Sequence, residues 1–338
     1  MASKFSIVGC EHAHIEIFIA EMIALGYECA GLYEPNNVRL AKRLADQFAL
    51  PIVTEQQRLF AEDVAIIGSS AINNEKIGLI ETCERYGKPV MIDKPAVTNR
   101  GDFERLQAVI ERGKIEVGML LTERFNPAVH TLKNLIEAGE LGRIVSIGMR
   151  KPHLLNAASR PEWFFSKEQC GGIIIDLLVH DFDLLRWFTG SEVHESDGMK
   201  VKSSLPDRPG FYDAASLQVV MGNGVIAQLY ADWYTPATSW TWGDGRIFVT
   251  GTEGFAELRL AGDPIAGAGT DELLLCATNQ EPPRRLALEA APCTITEDFL
   301  QRIAGKSSMI ASADIIAAAK ATIDADERAR IVQNPVVE

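Results

Sequence analysis

The chain lacks the features that commit a protein to a membrane, to nucleic acid or to a disulfide framework. No apolar run reaches the roughly 18 residues of a membrane-crossing helix, and the apolar stretch in the opening MASKFSIVG is too short for a signal peptide. Basic residues are outnumbered, 33 Lys and Arg against 46 Asp and Glu, for a formal charge of −13. No cluster of them makes a phosphate-binding stripe, so neither nucleic acid nor a membrane is an expected partner. The six cysteines, at positions 10, 29, 83, 170, 276 and 293, contain no C-x-x-C pair. That spacing suggests neither a disulfide scaffold nor a cysteine-rich zinc site, and a reducing cytoplasm is the expected location. No internal repeat or low-complexity tract is visible. What remains is an ordinary globular composition, 47% hydrophobic and 23% charged over 338 residues, with length for about two domains.

The first third alternates between two periodicities. Buried-strand runs FSIVG (5–9), CAGLYEP (29–35), VAIIG (64–68), PVMI (89–92) and KIEVGMLL (114–121) are separated by helical patterns at 15–26, 38–48, 75–87 and 103–113. Strand and helix in repeated alternation specify a parallel sheet covered on both faces. After Arg124 the texture changes. A helix at 126–142 and the segment 170–183 precede longer strands separated by turns: YDAASLQVVMGNGVIAQLYADWY (212–234), GRIFVTGTEGFAELRL (245–260) and DELLLCAT (271–278). EDFLQRI and 313–331 read as the closing helices. The expected class is α/β, a doubly wound Rossmann domain over residues 1–122. An α+β domain with an open, mainly antiparallel sheet follows over 123–338.

Two polar features stand out against this background. In CGGIIIDLLVHDFD (170–183), Asp176 and His180 lie four apart in an apolar run. Helical backbone would stack the carboxylate and the imidazole on one face, where the acid orients the ring and biases its protonation. In KPVMIDKP (88–95), Asp93, Lys94 and Pro95 follow the fourth strand. Ligands of open α/β sheets bind beyond the carboxyl ends of strands, which directs the Lys94 charge toward a cleft.

These segments resemble two motifs of the Gfo/Idh/MocA oxidoreductase family. DKP at 93–95 is similar to its E-K-P, and CGGIIIDLLVHDFDLL to its G-G-G-x-x-x-D-x-x-x-H-x-x-D. FNPAVHTLKNLIEAGELGRI, VTGTEGFAEL and the terminal helix also read like family members at the expected places. The resemblance implies hydride transfer between a nicotinamide ring and a carbinol carbon of a sugar, cyclitol or related polyol. It makes His180 the general acid/base, Asp176 its partner or a substrate ligand, and Lys94 the charge that holds the reacting oxygen. It also implies a homodimer or homotetramer. The chemistry is consistent: a hydroxyl that gives up hydride must also give up its proton, and an ammonium stabilises the alkoxide that develops.

The loop after the first strand departs from the G-x-G-x-x-G pattern of dinucleotide folds. It reads Gly9, Cys10, Glu11, His12, Ala13, His14, so only the first glycine is present. The amides at the start of the following helix, with His12 or His14 as donors, are the remaining contacts expected for a pyrophosphate. Glu34, at the end of the second strand, is placed to bond adenosine ribose hydroxyls and favours NAD over NADP, because a 2′-phosphate would meet a like charge. In GSSAINNE (68–75), Ser69 and Asn74 replace the threonine and histidine of the family's T-P-x-x-x-H-like turn. Asp93 and Lys94 complete the expected cofactor side. His12 and His14 read as phosphate-facing rather than as a metal pair, since no third ligand is apparent, and no metal is expected. The polar and aromatic segment 151–165 offers His153, Asn156, Arg160 and Trp163 to a substrate. Two alternatives share the scaffold: a glycosidase using a retained NAD transiently, and a non-catalytic dinucleotide or sugar sensor, which the altered loop suggests.

Overall fold

The computed structural model describes residues 3–265, 269 and 271–332. Chain contacts divide it into two compact units, the first comprising residues 1–121, 168–171 and 293–319, the second 122–167, 172–292 and 320–338.

In the first unit the alternation of the sequence becomes β1 (Lys4–Cys10), α1 (Ile15–Ala24), β2 (Glu28–Tyr33), α2 (Val38–Phe48), β3 (Val64–Ser70), α3 (Lys76–Tyr86), β4 (Val90–Ile92), α4 (Arg100–Arg112) and β5 (Val117–Met119). The five strands pair in parallel in the order β2-β1-β3-β4-β5. β4 and β5 are buried at every position, as expected of strands covered on both faces. α1 buries Ile15, Phe18, Ile19 and Met22, a stripe at helical spacing that faces the sheet. Asn37 and Asn99 cap α2 and α4 by accepting from Leu40 N and Asp102 N. Strand order reverses around β1, so the crevice that binds ligands in such sheets lies at the carboxyl ends of β1 and β3.

The second unit takes in α5 (Pro127–Glu137), β6 (Ile144–Pro152), most of the segment containing α6 (Lys167–Cys170), α7 (Gly172–Leu177) and α8 (Val179–Thr189), then β7 (Val193–Val201), β8 (Ala214–Met221), β9 (Ile226–Asp232), β10 (Arg246–Gly251), β11 (Gly254–Arg259), β12 (Leu273–Thr278) and β13 (Arg284–Arg285). The chain closes with α9 (Ile295–Ile303), α10 (Ser312–Arg328) and β14 (Arg330–Val332). Nine strands form one sheet, β13-β12-β11-β10-β6-β9-β8-β7-β14, antiparallel except for the β6/β9 and β7/β14 pairs. On β6 the residues Ile147, Met149 and Lys151 are buried in strict alternation, which carries a lysine onto the helix-covered face. No helix among the described residues is long and apolar enough to cross a membrane.

The division differs from a single cut after residue 122, because residues 293–319 return to the first unit. α9 opens with a capping box, Thr294 and Glu297 satisfying each other's backbone N–H. The Thr296 N–H donates to Glu21 on α1 at 3.0 Å, and the Phe299 ring lies 3.0 Å from where a Cβ on Gly118 would stand. α9 therefore covers the β5 edge of the parallel sheet, a long-range contact that sequence spacing does not announce.

One side chain fixes the turn after β4. Lys76, at the start of α3, has no exposed surface. Its Nζ donates to Asn73 Oδ1 and Asp93 O at 2.8 Å and lies 3.2 and 3.1 Å from the carbonyls of Lys94 and Pro95. The Lys94–Pro95 peptide is cis. Replacing Lys76 by methionine would leave those buried acceptors without a donor, at a cost of about 1–3 kcal/mol for each unsatisfied group. A Lys76→Met variant is expected to lose about 2–4 kcal/mol of unfolding free energy in urea denaturation; an unchanged midpoint would show that the turn does not depend on this contact.

Candidate functional site

In the first unit, the chain leaves β1 through Gly9 at φ +82, so close to β3 that a Cβ would stand 2.7 Å from the Ala71 Cβ. Glycine is required here by both conformation and space. A cleft of about 300 Å³ opens beside it, lined by Gly9, Glu11, Glu34, Pro35, Ile72 and Glu75 among others. Glu34 is buried. It accepts Cys10 N at 2.6 Å on one oxygen and Asn36 N and Asn37 N at 2.7 and 3.1 Å on the other. It thus ties the β1 loop to the β2 turn, and a carboxylate oxygen with one of two lone pairs in use can still accept a ribose hydroxyl. Burial and the Glu34 charge both push the Glu75 carboxyl upward.

The loop amides are largely committed within the protein. Cys10 N goes to Glu34, Glu11 N to Ser70 O at 2.8 Å, and His12 N lies 3.4 Å from Ser70 Oγ, whose hydroxyl returns a bond to His12 O. The first amides of α1, around Ala13 to Ile15, have no acceptor within the helix and remain the anion-facing end. The residues fit a dinucleotide at its ribose end, through Gly9 and Glu34. At the diphosphate the donors are helix amides and imidazoles in place of a glycine loop. Ser69 accepts Ala71 N at 3.1 Å and holds Asp93 N through its carbonyl at 2.8 Å. Asn74 Oδ1 is buried without a hydrogen-bond partner, whereas its neighbour Asn73 bonds both Lys76 and Cys170 O.

His12, His14 and Asp93 come together at the same end of the sheet. His12 Nδ1 lies 2.8 Å from Asp93 Oδ2 and His14 Nδ1 3.2 Å from Oδ1, with the two rings edge to face at 4.1 Å. Asp93 is 1% exposed. Burial works against its charge, but the His14 and His12 rings hold its carboxyl well below the usual range. Burial first, then His14 and Lys94, push His12 below its ordinary value, against the pull of Asp93. The third member that the sequence does not supply beside H-x-H comes from about 80 residues away.

In the second unit, the run 170–183 is not one helix. Gly171 and Gly172 take φ of +94 and +77, and α7 gives way to α8 at Leu178. The axis is nearly continuous, since Leu178 N donates to Ile174 O and Phe182 N to Leu178 O, both at 3.0 Å. Asp176 and His180 are buried on either side of this joint. The next residue, Asp181, meets Lys151 of β6, its Oδ2 3.0 Å from Nζ, and Lys151 also holds the Glu123 carboxylate. Burial opposes charge on Glu123, but the Lys151 ammonium and the His180 ring draw its carboxyl down. Burial and the Glu123 charge push Asp181 upward despite Lys151. One cation thus serves two carboxyls whose proton affinities burial and their mutual charge drive apart, Glu123 downward and Asp181 upward to about 7.

Glu123, Lys151, Asp181 and His153 line a cavity of about 220 Å³ with Arg150, Trp242 and Arg246. Of the substrate-facing candidates, His153 alone lines it, its ring packed edge to face on Trp233 at 5.7 Å. Arg160 is enclosed by Phe164, Trp233 and Trp242, and its Nε donates to Leu155 O. Asn156 is an exposed turn residue at φ +46 whose carbonyl accepts from Ser159, and Trp163 packs on Phe164. Asp183, last acid of the run, forms a buried two-pronged pair with Arg124 at 2.8 and 2.6 Å and belongs to the core. Glu123, Lys151 and Asp181 sit on three separate elements. Only the lysine interrupting the apolar alternation of β6 marks one of them in the sequence.

A parallel sheet ordered 2-1-3-4-5 with a crevice at β1/β3, joined to a unit built on a nine-stranded mixed sheet, defines a two-unit protein of the dinucleotide-fold class. Residues 129–257 match the model of the GFO/IDH/MocA C-terminal domain. It is 26% identical to myo-inositol dehydrogenase Hyg17 of Streptomyces leeuwenhoekii over 78% of this chain and 79% of that protein. It is also 26% identical to inositol 2-dehydrogenase 2 of Saccharopolyspora erythraea, over 49% of this chain and 47% of that protein, so the match spans about half of that relative's length. The fold is shared with an aldose-aldose oxidoreductase of Caulobacter crescentus solved with glycerol, at a TM-score of 0.79 and 17% identity over 97% of this chain and 98% of that one.

The shared-lysine cluster predicts a pH dependence. Asp181, raised from its ordinary 3.8 to about 7, binds its proton more tightly folded than unfolded. Its contribution to stability is therefore present below pH 3.8 and lost as pH rises through about 7. Asp181→Asn should gain stability relative to the parent chain between pH 4 and pH 8 in chemical denaturation. A difference that stays constant across that range would contradict the assignment.

Proposed function

We propose that the protein is an NAD-linked dehydrogenase or reductase acting on a secondary hydroxyl or carbonyl of a sugar, cyclitol or related polyol. The observation that carries this reading is the buried group of Glu123, Lys151 and Asp181, with Glu123 drawn down and Asp181 pushed up to about 7, next to His180 and lining a cavity. Tuned titratable groups in a cavity are what acid–base chemistry on a small polar substrate needs. The family and its inositol dehydrogenase relatives support the same chemistry.

In this reading the nicotinamide, when bound, accepts or gives the hydride, and the residues of the chain handle everything else. His180 takes the hydroxyl proton as the carbon loses hydride and returns it in the reverse direction. Asp176 orients His180 or holds a neighbouring substrate hydroxyl. The Lys94 ammonium polarises the reacting oxygen and stabilises alkoxide character. The Glu123–Lys151–Asp181 group supplies a local proton reservoir and a fixed field at His180. Glu34, with Glu11 and Glu75 in the same cleft, favours NAD over NADP, since a 2′-phosphate there would meet several carboxylates. A second reading, a dinucleotide sensor without turnover, draws on one observation: the Cys10, Glu11 and His12 amides are already engaged.

His180→Ala and Lys94→Ala should each lower turnover by about 10²-fold or more with the fold retained by circular dichroism. Near-parental rates in both would remove the catalytic assignment. Tight dinucleotide binding with no absorbance change on any polyol tried would favour sensing. Calorimetric titration is expected to show NAD bound more tightly than NADP, and the reverse order would overturn the role given to Glu34.

A further inference from the structure

The geometry points to a divalent transition-metal site formed by His12, His14 and Asp93, with open coordination positions at the carboxyl end of the parallel sheet. One donor atom from each of the three residues can be chosen so that all lie within 4.8 Å of one another. The imidazole-to-carboxylate separations are 2.8 and 3.2 Å. A cation held at about 2.0–2.1 Å from each donor sets donor–donor distances of about 2.9 Å at octahedral and about 3.4 Å at tetrahedral angles. These two imidazole-to-carboxylate spacings fall in or next to that interval, and all three donors lie within 4.8 Å of one another, so side-chain adjustment would seat an ion. Two imidazoles and one carboxylate suit zinc, cobalt, nickel or ferrous iron better than magnesium or calcium, and three protein ligands leave at least one position for an oxygen donor.

The site is held in place by its surroundings. Asp93 is fixed by its own N–H on Ser69 O and by its carbonyl on Lys76 Nζ, both at 2.8 Å, and the His12 carbonyl accepts from Ser70 Oγ at 2.7 Å. Its carboxylate is buried, and a bound cation would offset the cost of burying its charge. Lys94 opposes a second cation, and the Asp93 charge offsets it. On the dehydrogenase reading, the open positions would take diphosphate oxygens, supplying positive charge beside a cleft lined by Glu11, Glu34 and Glu75 with no lysine or arginine among its lining residues. The alternative is a metal-free triad in which both rings only donate to Asp93.

The test uses the full chain, stripped with chelator and titrated with Co²⁺ alone, followed by visible absorption and by calorimetric competition with Zn²⁺. One Co²⁺ per chain with ligand-field bands is expected. His14→Ala, whose parent side chain is about half exposed and whose loss the fold should tolerate, and Asp93→Asn should each weaken binding by about tenfold or more. Parental affinity no tighter than that of His14→Ala, or binding that survives both substitutions, would overturn the site. No dinucleotide or substrate is present in either measurement, so failure here leaves the dehydrogenase reading standing. Failure of that reading likewise leaves the metal site standing.

Discussion

A lysine ammonium with no exposed surface, Lys76, organises the unit built on the parallel sheet. It reaches from the first turn of α3 to the carbonyls of Asp93, Lys94 and Pro95, so one cation sets the path of the backbone after β4. Burying such a charge is costly unless every proton finds an acceptor. The acceptors are four oxygens, three of them from consecutive residues, so the turn and the charge stabilise each other. The direction of the Asp93 carboxylate and the position of Lys94 both follow from this arrangement. Asp93 in turn gathers His12 and His14 from the loop after β1.

The same economy appears in the second unit with the signs reversed. There Lys151, on the covered face of β6, stands between Glu123 and Asp181. One ammonium serves two acids, and burial together with the Glu123 charge pushes Asp181 upward to about 7. Arg124 and Asp183 are the contrasting case, a buried pair with matched two-pronged geometry. In each unit, then, the groups suited to chemistry are those whose charges do not balance locally.

Much of this organisation was legible in the sequence. Period-two and helical runs located the five parallel strands and the helices between them, because strands buried on both faces leave an unmistakable apolar signature. Gly9, Glu34, Lys94 and the pair Asp176 and His180 stood out for the same reason, as polar or flexible residues at ends or interruptions of apolar runs. The division at Leu178 was not legible, since nothing in IIIDLLVHDFD interrupts helix propensity. Lys76 was missed as well, because EKIGLIE reads as an ordinary solvated helix start until the carbonyls it faces are known.

The chain by itself determined which segments become strand or helix and where ionisable residues interrupt apolar faces, because those properties depend on neighbours within a few residues. Only the tertiary structure decided which charges meet. The His12, His14 and Asp93 cluster, the lysine shared by Glu123 and Asp181, and the return of α9 to the parallel sheet all join residues tens to hundreds of positions apart. Pair electrostatics depends on distance and burial, and neither is encoded in local spacing.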